Sequence, residues 1–330
     1  MVKILRTVAV RTLSDVYDAA CSWIEGRQQG IASNIEVQRQ HDATTTIDRA
    51  LTWVAMESLS KFLQHVSNNE NLSFNARLEM EEQSGKLDIK PGEALPWAVN
   101  LEIHGDLPAG SMNLLRLIDG VTNNYIRRYF FDPLSMCLLG FRLPHLCAVP
   151  YVVGAAVDLG SATVYSGMRL SSGVYESFVG DHNVNDCNLN LGKNKETRVQ
   201  LLTFMDMDGN QAFYNHVRGS VEKKVKYAEV HIGGVPCVSW NLTRLVQGTY
   251  DAIVDVRALS PQRNRCLEPI DYGGLIPFLL GTGCLLRDEK GQPVSGYRYA
   301  RKPVCLLASY DQNLMERLIE AIKDSRSWIN

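Results

Sequence analysis

The chain has 330 residues, of which 45% are hydrophobic and 21% are charged, a composition typical of folded globular proteins. Its 34 basic and 36 acidic residues give a net charge of −2, so the chain as a whole carries no basic excess with which to hold nucleic acid or an anionic membrane. We therefore expect neither nucleic acid nor a membrane as a partner.

The N-terminal stretch MVKILRTVAVRTLSDVYDAACSW is apolar only in short pieces, because Arg6 and Arg11 interrupt it. It does not resemble the apolar region of a signal peptide, and no apolar run approaches the roughly 20 residues that span a bilayer. We expect a cytoplasmic protein. The eight cysteines are scattered and form no Cys-x-x-Cys pair, which favours buried thiols over disulfides or zinc ligands.

The first part of the chain contains two predicted helices. One covers about Leu13 to Ile31. The other lies in TTTIDRALTWVAMESLSKFLQHV, where apolar residues recur at three- and four-residue spacing and threonines are placed to cap the start. From about Ala98, runs such as WAVNLEI, LSMCLLGF, LCAVPYVVGAAVDL and ATVYSGMRL alternate with turn residues and predict a sheet.

The last third alternates predicted strands and helices, which is typical of α/β layers. We interpret the polar stretch Phe178 to Arg198 as a long surface loop or insertion and DMDGN, Asp206 to Asn210, as a hairpin turn. The sequence predicts two parts of one compact unit: an N-terminal α+β part at 1–173 and a C-terminal α/β part at 174–330.

Three acidic residues fall at the ends of predicted elements: Glu102, Asp119 and Asp271. Carboxylates clustered at such edges bind Mg²⁺, which prefers oxygen ligands and keeps waters for a phosphate substrate. Taken singly, each acid is more often a turn former or a helix cap. His104 lies two residues beyond Glu102, on the same face if the strand continues, and is either an acid/base group or an ordinary polar histidine.

Several segments resemble, in order, those of the inositol monophosphatase and fructose-1,6-bisphosphatase superfamily. They are HDATTTID before a helix, NLEIHG, LIDGVTNNYI, VVGAAVDLGSATVYSGMRLSSGVY, LVQGTYDAIVD and IDYGGLIPFLLGTGCLLRDEKGQPV. The resemblance covers nearly the whole chain. It implies an α/β fold, a layered αβαβα sandwich, and, if the protein is an active enzyme, a Mg²⁺-dependent phosphoric monoester hydrolase. It also suggests a homodimer.

The resemblance assigns roles to five residues of this chain. Glu102 is similar to the family's metal-binding and water-activating glutamate, and Ile118 would offer a backbone carbonyl to the metal. Asp119 resembles a ligand of the family's Asp-Pro-Ile-Asp-Gly-Thr-Thr-Asn loop. Asp271 resembles the aspartate at the start of a later helix. Asp48 is similar to an aspartate near a third metal and would assist catalysis.

The metal loop departs from the family's pattern at two positions. Arg116 stands where the family has its metal-bridging aspartate, and Val121 stands where it has a threonine that helps to orient the attacking water. Exchanging a carboxylate for a guanidinium alters local charge by two units, which makes two Mg²⁺ ions beside Arg116 unfavourable. A ligand site in this loop would be formed by Arg116, Gly120, Val121, Thr122 and Asn123.

These observations leave three functional hypotheses. The first is a divergent, inositol monophosphatase-like protein, impaired in two-metal phosphatase chemistry, that binds a small anionic or phosphorylated molecule through a guanidinium fork. The second is an active Mg²⁺-dependent phosphomonoesterase on a sugar, inositol or nucleotide phosphate. The third is a metal-free enzyme that uses Arg116 and His104. Magnesium is the cofactor implied, and Arg116 argues against it.

Overall fold

The structure is a computed structural model that describes residues 2–28, 35–38, 43–71, 74–79, 84–89, 92, 104–105, 136–141, 152–158, 161–185, 197–203, 210–233, 238–260, 267, 270–294 and 303–326. At residues 23–28, 35–38, 43–52, 74–79, 84–89, 104–105, 136–137, 139–141, 270–271 and 326 the backbone alone is described. Helices and strands are numbered in chain order.

The first layer consists of two long helices, α1 at Val2–Gln28 and α2 at Thr46–Glu70. Strands β1 (Ile35–Gln38) and β2 (Ala43–Thr45) pair between them, and β3 (Phe74–Glu79) pairs with β4 (Ser84–Ile89) after α2. Buried apolar residues recur every three or four positions on each helix, because a turn takes 3.6 residues. They are Leu5, Val8, Ala9, Leu13, Val16 and Ala20 on α1 and Ala55, Met56, Leu59 and Leu63 on α2.

The second layer is a six-stranded antiparallel sheet in the order β10-β9-β8-β7-β6-β5. Its strands are β5 (His104–Gly105), β6 (Met136–Phe141), β7 (Val153–Asp158), β8 (Thr163–Arg169), β9 (Tyr175–Val179) and β10 (His182–Asn183). The helix α1 packs directly on β7, and Arg6 fixes it to the sheet. The Arg6 Nε donates to Ser166 Oγ at 3.0 Å, and the guanidinium carbon lies 3.7 Å from the centre of the Phe178 ring.

The fourth layer is a five-stranded mixed sheet in the order β12-β11-β13-β15-β14. Its strands are β11 (Thr197–Leu202), β12 (Ala228–Ile232), β13 (Ala252–Asp255), β14 (Leu285–Arg287) and β15 (Leu306–Ser309). The strand β11 is parallel to both β12 and β13, and β15 is antiparallel to both β13 and β14.

Helices fill the space between the two sheets and cover the outer face of the five-stranded sheet. Between the sheets lie α4 (Val238–Val246), α5 (Ile270–Gly273) and α6 (Ile276–Gly281), and their apolar residues share one core with residues of both sheets. Outside lie α3 (Gln211–Lys224) and α7 (Gln312–Arg326), which pack against each other and against the five-stranded sheet. The layers are therefore helix, sheet, helix, sheet, helix, and the predicted αβαβα sandwich is confirmed.

Several local predictions differ from the structure. The first helix begins at Val2 rather than near Leu13. The predicted loop at 178–198 was wrong at both ends, because β9 and β10 form a hairpin there and Thr197 begins β11; residues 186–196 lie outside the described part. The hairpin turn predicted at DMDGN was wrong, because Asn210 is the N-cap of α3. The helix α3 and the strand β12 were not predicted from the sequence.

The predicted boundary between two parts after residue 173 falls in the turn between β8 and β9 of one sheet. The division of the chain at that point remains a prediction.

Two of the cysteines in the described residues, Cys284 and Cys305, are buried thiols outside any disulfide, as predicted, and Cys21 is half-buried and also outside any disulfide. Burial raises the pKa of the Cys284 thiol and keeps it protonated.

In the part of the chain that the structure describes, no helix is both long and apolar enough to cross a membrane.

Candidate functional site

Most residues of the predicted site lie outside the described residues. They are Glu102, Arg116, Ile118, Asp119, Gly120, Val121, Thr122 and Asn123. The backbone positions of the other three predicted residues are described. Asp48 lies in the first turn of α2, His104 lies in β5, and Asp271 lies in α5.

His104 and Asp271 lie on two elements that flank the same strand. In the six-stranded sheet, His104 is paired with Leu138 of β6. The short helix α5, which carries Asp271, packs on β6 and on α4. The fold thus brings the backbones of two of the predicted residues to the β6 end of this sheet, while Asp48 belongs to the helical layer on the opposite face.

Close packing of backbones holds α5 and α6 against the six-stranded sheet. A Cβ atom on Gly154 of β7 would overlap the Gly274 carbonyl, and one on Gly167 of β8 would overlap the backbone at Phe278. At the far end of α6, a Cβ atom on Gly281 would overlap the Ser177 hydroxyl. Glycine is needed at positions 154 and 167 because the backbone of the segment that contains α5 and α6 lies where their side chains would be. This contact fixes the chain at Gly274, directly after α5.

The Ser177 hydroxyl adds a polar link to this contact. It is buried and donates to the Phe278 carbonyl at 2.6 Å, while the same region of the sheet contributes Tyr165, whose ring meets Phe278 edge to face at 5.4 Å. Burial raises the pKa of Tyr165, which therefore stays protonated at neutral pH, and its hydroxyl accepts a hydrogen bond from Gln247 at 2.8 Å.

The five-stranded sheet contains a topological switch at the carboxyl ends of β11 and β12. The chain leaves β11 for α3 on the outer face of the sheet, and it leaves β12 for α4 on the inner face. The crevice outside the carboxyl ends of such strands is the usual ligand site in open α/β sheets. The two connections leave on opposite faces of the sheet and so open a gap between them, and each leads to a helix N-terminus, which favours anions. The helix α4 contacts both β13 and α5, so this edge and the Asp271 helix border the same layer.

A buried ion pair lies at this edge, at the end of β13. Asp255 is 0% exposed and Arg257 is 5% exposed. The guanidinium Nε lies 2.9 Å from each Asp255 carboxylate oxygen, and the second nitrogen donates to Oδ2 at 2.6 Å. Asp255 faces the same side of β13 as Ile253, which belongs to the core between the sheets, because strand residues alternate. A desolvated charge pair therefore faces the layer that contains α4 and α5.

Other polar groups are buried at the same edge. Thr203 follows β11 and is 1% exposed, and its hydroxyl has no hydrogen-bond partner among the described residues. The Gln200 amide donates to the carbonyl of Gly233 at the end of β12. Asn210 caps α3 without a side-chain bond to that helix. A hydroxyl, an amide and an ion pair thus lie close to the carboxyl ends of β11, β12 and β13.

The described residues contain no group of three or more His, Cys, Asp or Glu side chains that could hold a metal ion. Of the predicted metal ligands, Glu102, Ile118 and Asp119 lie outside the described part, and the side chain of Asp271 is not described. The predicted magnesium site therefore remains a prediction.

The sequence reasoning missed Asp255 and Arg257. The available signal was a single acid that ends the apolar run YDAIVDV, followed two residues later by an arginine. An acid at the end of a fully buried strand requires a partner, so this pattern predicts a local ion pair at a strand end.

Comparison with solved structures identifies the fold. The chain aligns over 100% of its length with 100% of an inositol monophosphatase from Thermotoga maritima, with a TM-score of 0.59 and 13% identity. Extragenic suppressor protein SuhB from Bartonella henselae aligns over 97% of each chain, with a TM-score of 0.58 and 14% identity. An inositol monophosphate-bound SaIMPase-II covers 100% of this chain and 97% of its own, with a TM-score of 0.55 and 11% identity.

No family model matches the chain, and no curated protein matches its sequence. The likeness is therefore one of fold: the chain has the inositol monophosphatase fold over its whole length, at 13–14% sequence identity to these two structures. The resemblance inferred from sequence motifs is confirmed at this level.

Proposed function

We propose that this protein is a divergent relative of the inositol monophosphatases that binds a small phosphorylated or anionic molecule and is impaired in two-metal hydrolysis of phosphate esters. The observation that carries the proposal is the combination of the full-length fold with Arg116 at the position of the family's metal-bridging aspartate. A guanidinium supplies near a phosphate the positive charge that a metal would otherwise supply.

Electrostatics supports a role for Arg116 in binding rather than in hydrolysis. A unit charge about 4 Å away contributes roughly 4 kcal/mol at an effective dielectric constant of about 20. The change from carboxylate to guanidinium therefore removes a ligand from a Mg²⁺ pair and adds repulsion. A guanidinium is always protonated and binds phosphate oxygens in a bidentate manner. Val121, in turn, has no hydroxyl with which to orient an attacking water.

The carboxyl edge of the five-stranded sheet supports a ligand site nearby. The starts of α3 and α4 lie at this edge, and the N-termini of helices favour anions. The neighbour SaIMPase-II was solved with inositol monophosphate bound, which suggests a phosphorylated polyol as the first ligand class to test. In this arrangement the phosphate would contact Arg116.

The test combines turnover and binding of inositol monophosphate. We expect the wild type to bind it in EDTA by calorimetry and to release no phosphate when Mg²⁺ is supplied. Arg116→Asp should weaken this metal-free binding, and Arg116→Asp combined with Val121→Thr should gain Mg²⁺-dependent phosphate release. Brisk phosphate release by the wild type would contradict the proposal.

A second candidate is an active Mg²⁺-dependent phosphomonoesterase. It is favoured by the retention of Glu102, Asp119 and Asp271 at the family's ligand positions and by the placement of the Asp271 helix against β6, beside the strand that contains His104. Glu102, Asp119 and Asp271 would hold one metal ion, whose chemistry would be to polarise the phosphate and activate a water. Under this alternative, EDTA and Asp119→Asn each abolish turnover of a phosphomonoester by the wild type.

A further inference from the structure

The two edges of the five-stranded sheet differ in how well they are protected. At one edge, β14 has three residues, and Pro293 bridges to Arg287 on its outer side. At the other edge, β12 has five residues, contains neither proline nor lysine, and pairs with β11 without a bulge. Proline, lysine, bulges and short length are the usual protection of an edge strand against pairing with another chain. In the described part of the chain, nothing pairs with the outer side of β12.

Hydrogen bonds to β11 determine which backbone groups of β12 point outward. The Thr197 N–H donates to the Tyr227 carbonyl at 3.2 Å, and the Gly233 N–H donates to the Leu201 carbonyl at 3.1 Å. In a parallel ladder with these bonds, alternate residues of β12 turn their N–H and C=O groups away from β11. Those residues are Ala228, Val230 and Ile232. The edge therefore offers an ordered row of outward backbone donors and acceptors.

The donors of this row are the amides of Val230 and Ile232. The Ala228 N–H already donates to the Val225 carbonyl at 3.2 Å, so Ala228 contributes its carbonyl alone. A ligand with isolated polar groups would satisfy one or two of these positions. An extended peptide repeats a donor and an acceptor at every second residue and so matches the whole row. The edge thus favours a peptide over a small molecule.

A groove of about 470 Å³ lies beside this row, between α3 and β12. Arg218 and Glu222 of α3 form one wall, and their side chains form an ion pair at 2.7 Å, so this wall has no net charge. Tyr227 lies at the start of β12 and is 68% exposed, which is unusual for a large aromatic side chain. The groove provides space for the side chains of an added strand, and the tyrosine ring provides an apolar contact at one end.

The charged side chains of β12 give the edge a direction. Glu229 and His231 lie on the same face of the strand, on either side of Val230, because strand residues alternate. Both side chains are about half exposed, and the histidine Nε2 lies 3.3 Å from the glutamate Oε1. On this face an added strand meets an acid at one position and an imidazole two residues later. The charges of the added strand are complementary only if they follow in the matching order.

We propose that β12 binds an extended segment of another protein as an additional antiparallel strand, and that this segment carries an acidic, an apolar and a basic residue in that order. The apolar residue pairs with Val230 and exchanges both backbone hydrogen bonds with it. The acid then lies opposite His231, and the base lies opposite Glu229. The residue after the base faces Ala228, whose small side chain leaves room for an aromatic ring beside Tyr227.

The first test uses the full chain and a fluorescently labelled peptide, acetyl-Thr-Glu-Val-Lys-Tyr amide, with binding measured by fluorescence anisotropy. We expect saturable binding at submillimolar peptide. N-methylation of the central valine removes the N–H that donates to the Val230 carbonyl and should abolish binding. N-methylation of the lysine, whose N–H points away from β12, is the matched control and should leave the affinity unchanged. No binding at millimolar peptide, or an equal loss with both methylated peptides, would overturn the proposal.

The second test concerns the order of the charges. The peptide acetyl-Thr-Lys-Val-Glu-Tyr amide has the same composition with the two charges exchanged, and we expect it to bind the wild type on the order of tenfold more weakly. The double variant Glu229→Lys, His231→Glu should reverse this preference, and circular dichroism with thermal unfolding checks its fold. The proposal is wrong if the wild type binds both peptides equally, or if the double variant keeps the wild-type preference.

Hydrogen exchange tests whether the edge is open before the peptide binds. Without peptide, the outward amides of Val230 and Ile232 should exchange faster than the Glu229 amide, which points to β11. With peptide, both should become protected. Protection of both amides without peptide would mean that another segment of this chain or a second copy already pairs with β12, and this result would also overturn the proposal.

Discussion

The contact of α5 and α6 with the six-stranded sheet and the carboxyl edge of the five-stranded sheet border the same central layer, yet they are built from different residues. The first contact is made of glycines, apolar side chains and one serine hydroxyl that donates to Phe278. The second contains the buried Asp255–Arg257 pair and the Thr203 hydroxyl. Close packing explains the residue types of the first region.

Packing does not explain those of the second. A buried ion pair is about as stable as a pair of apolar residues of similar volume, and a hydroxyl without a partner is less favourable than a methyl group. Buried polar groups that stability does not require therefore mark the carboxyl edge of the five-stranded sheet, the usual ligand side of open α/β sheets, as the region in which to look for function.

The largest expected effect tests the ion pair. Arg257→Met leaves Asp255 buried with one backbone N–H, that of residue 257 at 3.2 Å, as its donor among the described residues. We expect a loss of about 3–5 kcal/mol in the free energy of unfolding. Replacing both residues, with Asp255→Leu and Arg257→Met, should recover most of that loss. Urea denaturation measures both variants, and a double variant as unstable as the single one would show that the pair is needed for stability.

The next effect tests the helix-on-sheet contact. Gly167→Ala places a Cβ atom against the backbone at Phe278, which cannot move without shifting α6. We expect a loss of about 1–3 kcal/mol in unfolding free energy. The matched control is Gly219→Ala in α3, where a Cβ atom meets nothing within 4 Å. Because alanine favours helix by about 1 kcal/mol over glycine, the control should gain stability. Equal effects of the two changes would contradict the close packing described above.

A smaller effect compares one buried hydroxyl from each region. Ser177→Ala removes the bond to the Phe278 carbonyl and should cost about 1 kcal/mol. Thr203→Val removes a hydroxyl without a partner among the described residues and should leave stability unchanged or raise it by up to about 1 kcal/mol. Chemical denaturation of both variants checks the comparison. A loss at Thr203 as large as that at Ser177 would mean that its hydroxyl is satisfied in the native protein.

The sequence predicts much of this fold because its layers depend on local patterns. The three- and four-residue periodicity in α2 and α7, the apolar strand runs from Met136 onward, and the order of the family-like motifs all lead to the αβαβα sandwich. The missed elements, α3 and β12, have apolar positions mixed with polar ones. Phe213, Val217 and Val221 become recognisable as one helix face when the sheet beneath them is known.

The candidate site is predicted less completely. The resemblance assigned Asp271, and strand alternation after Glu102 pointed to His104; the backbones of both lie on elements beside β6. Neither signal could identify Asp255 and Arg257 as a pair, because their interaction depends on burial between sheets that the sequence does not reveal residue by residue. The roles of Arg116 and of the other loop residues rest on the resemblance and remain predictions.

The central claim is that Arg116 has replaced the positive charge of a metal ion. It is tested most directly by calorimetry of Mg²⁺ binding to the EDTA-stripped protein, with and without inorganic phosphate, in wild type and in Arg116→Asp. The account predicts no Mg²⁺ binding to the wild type at millimolar concentrations, and binding to Arg116→Asp. Mg²⁺ binding to the wild type that phosphate strengthens would contradict it and would favour an active phosphatase.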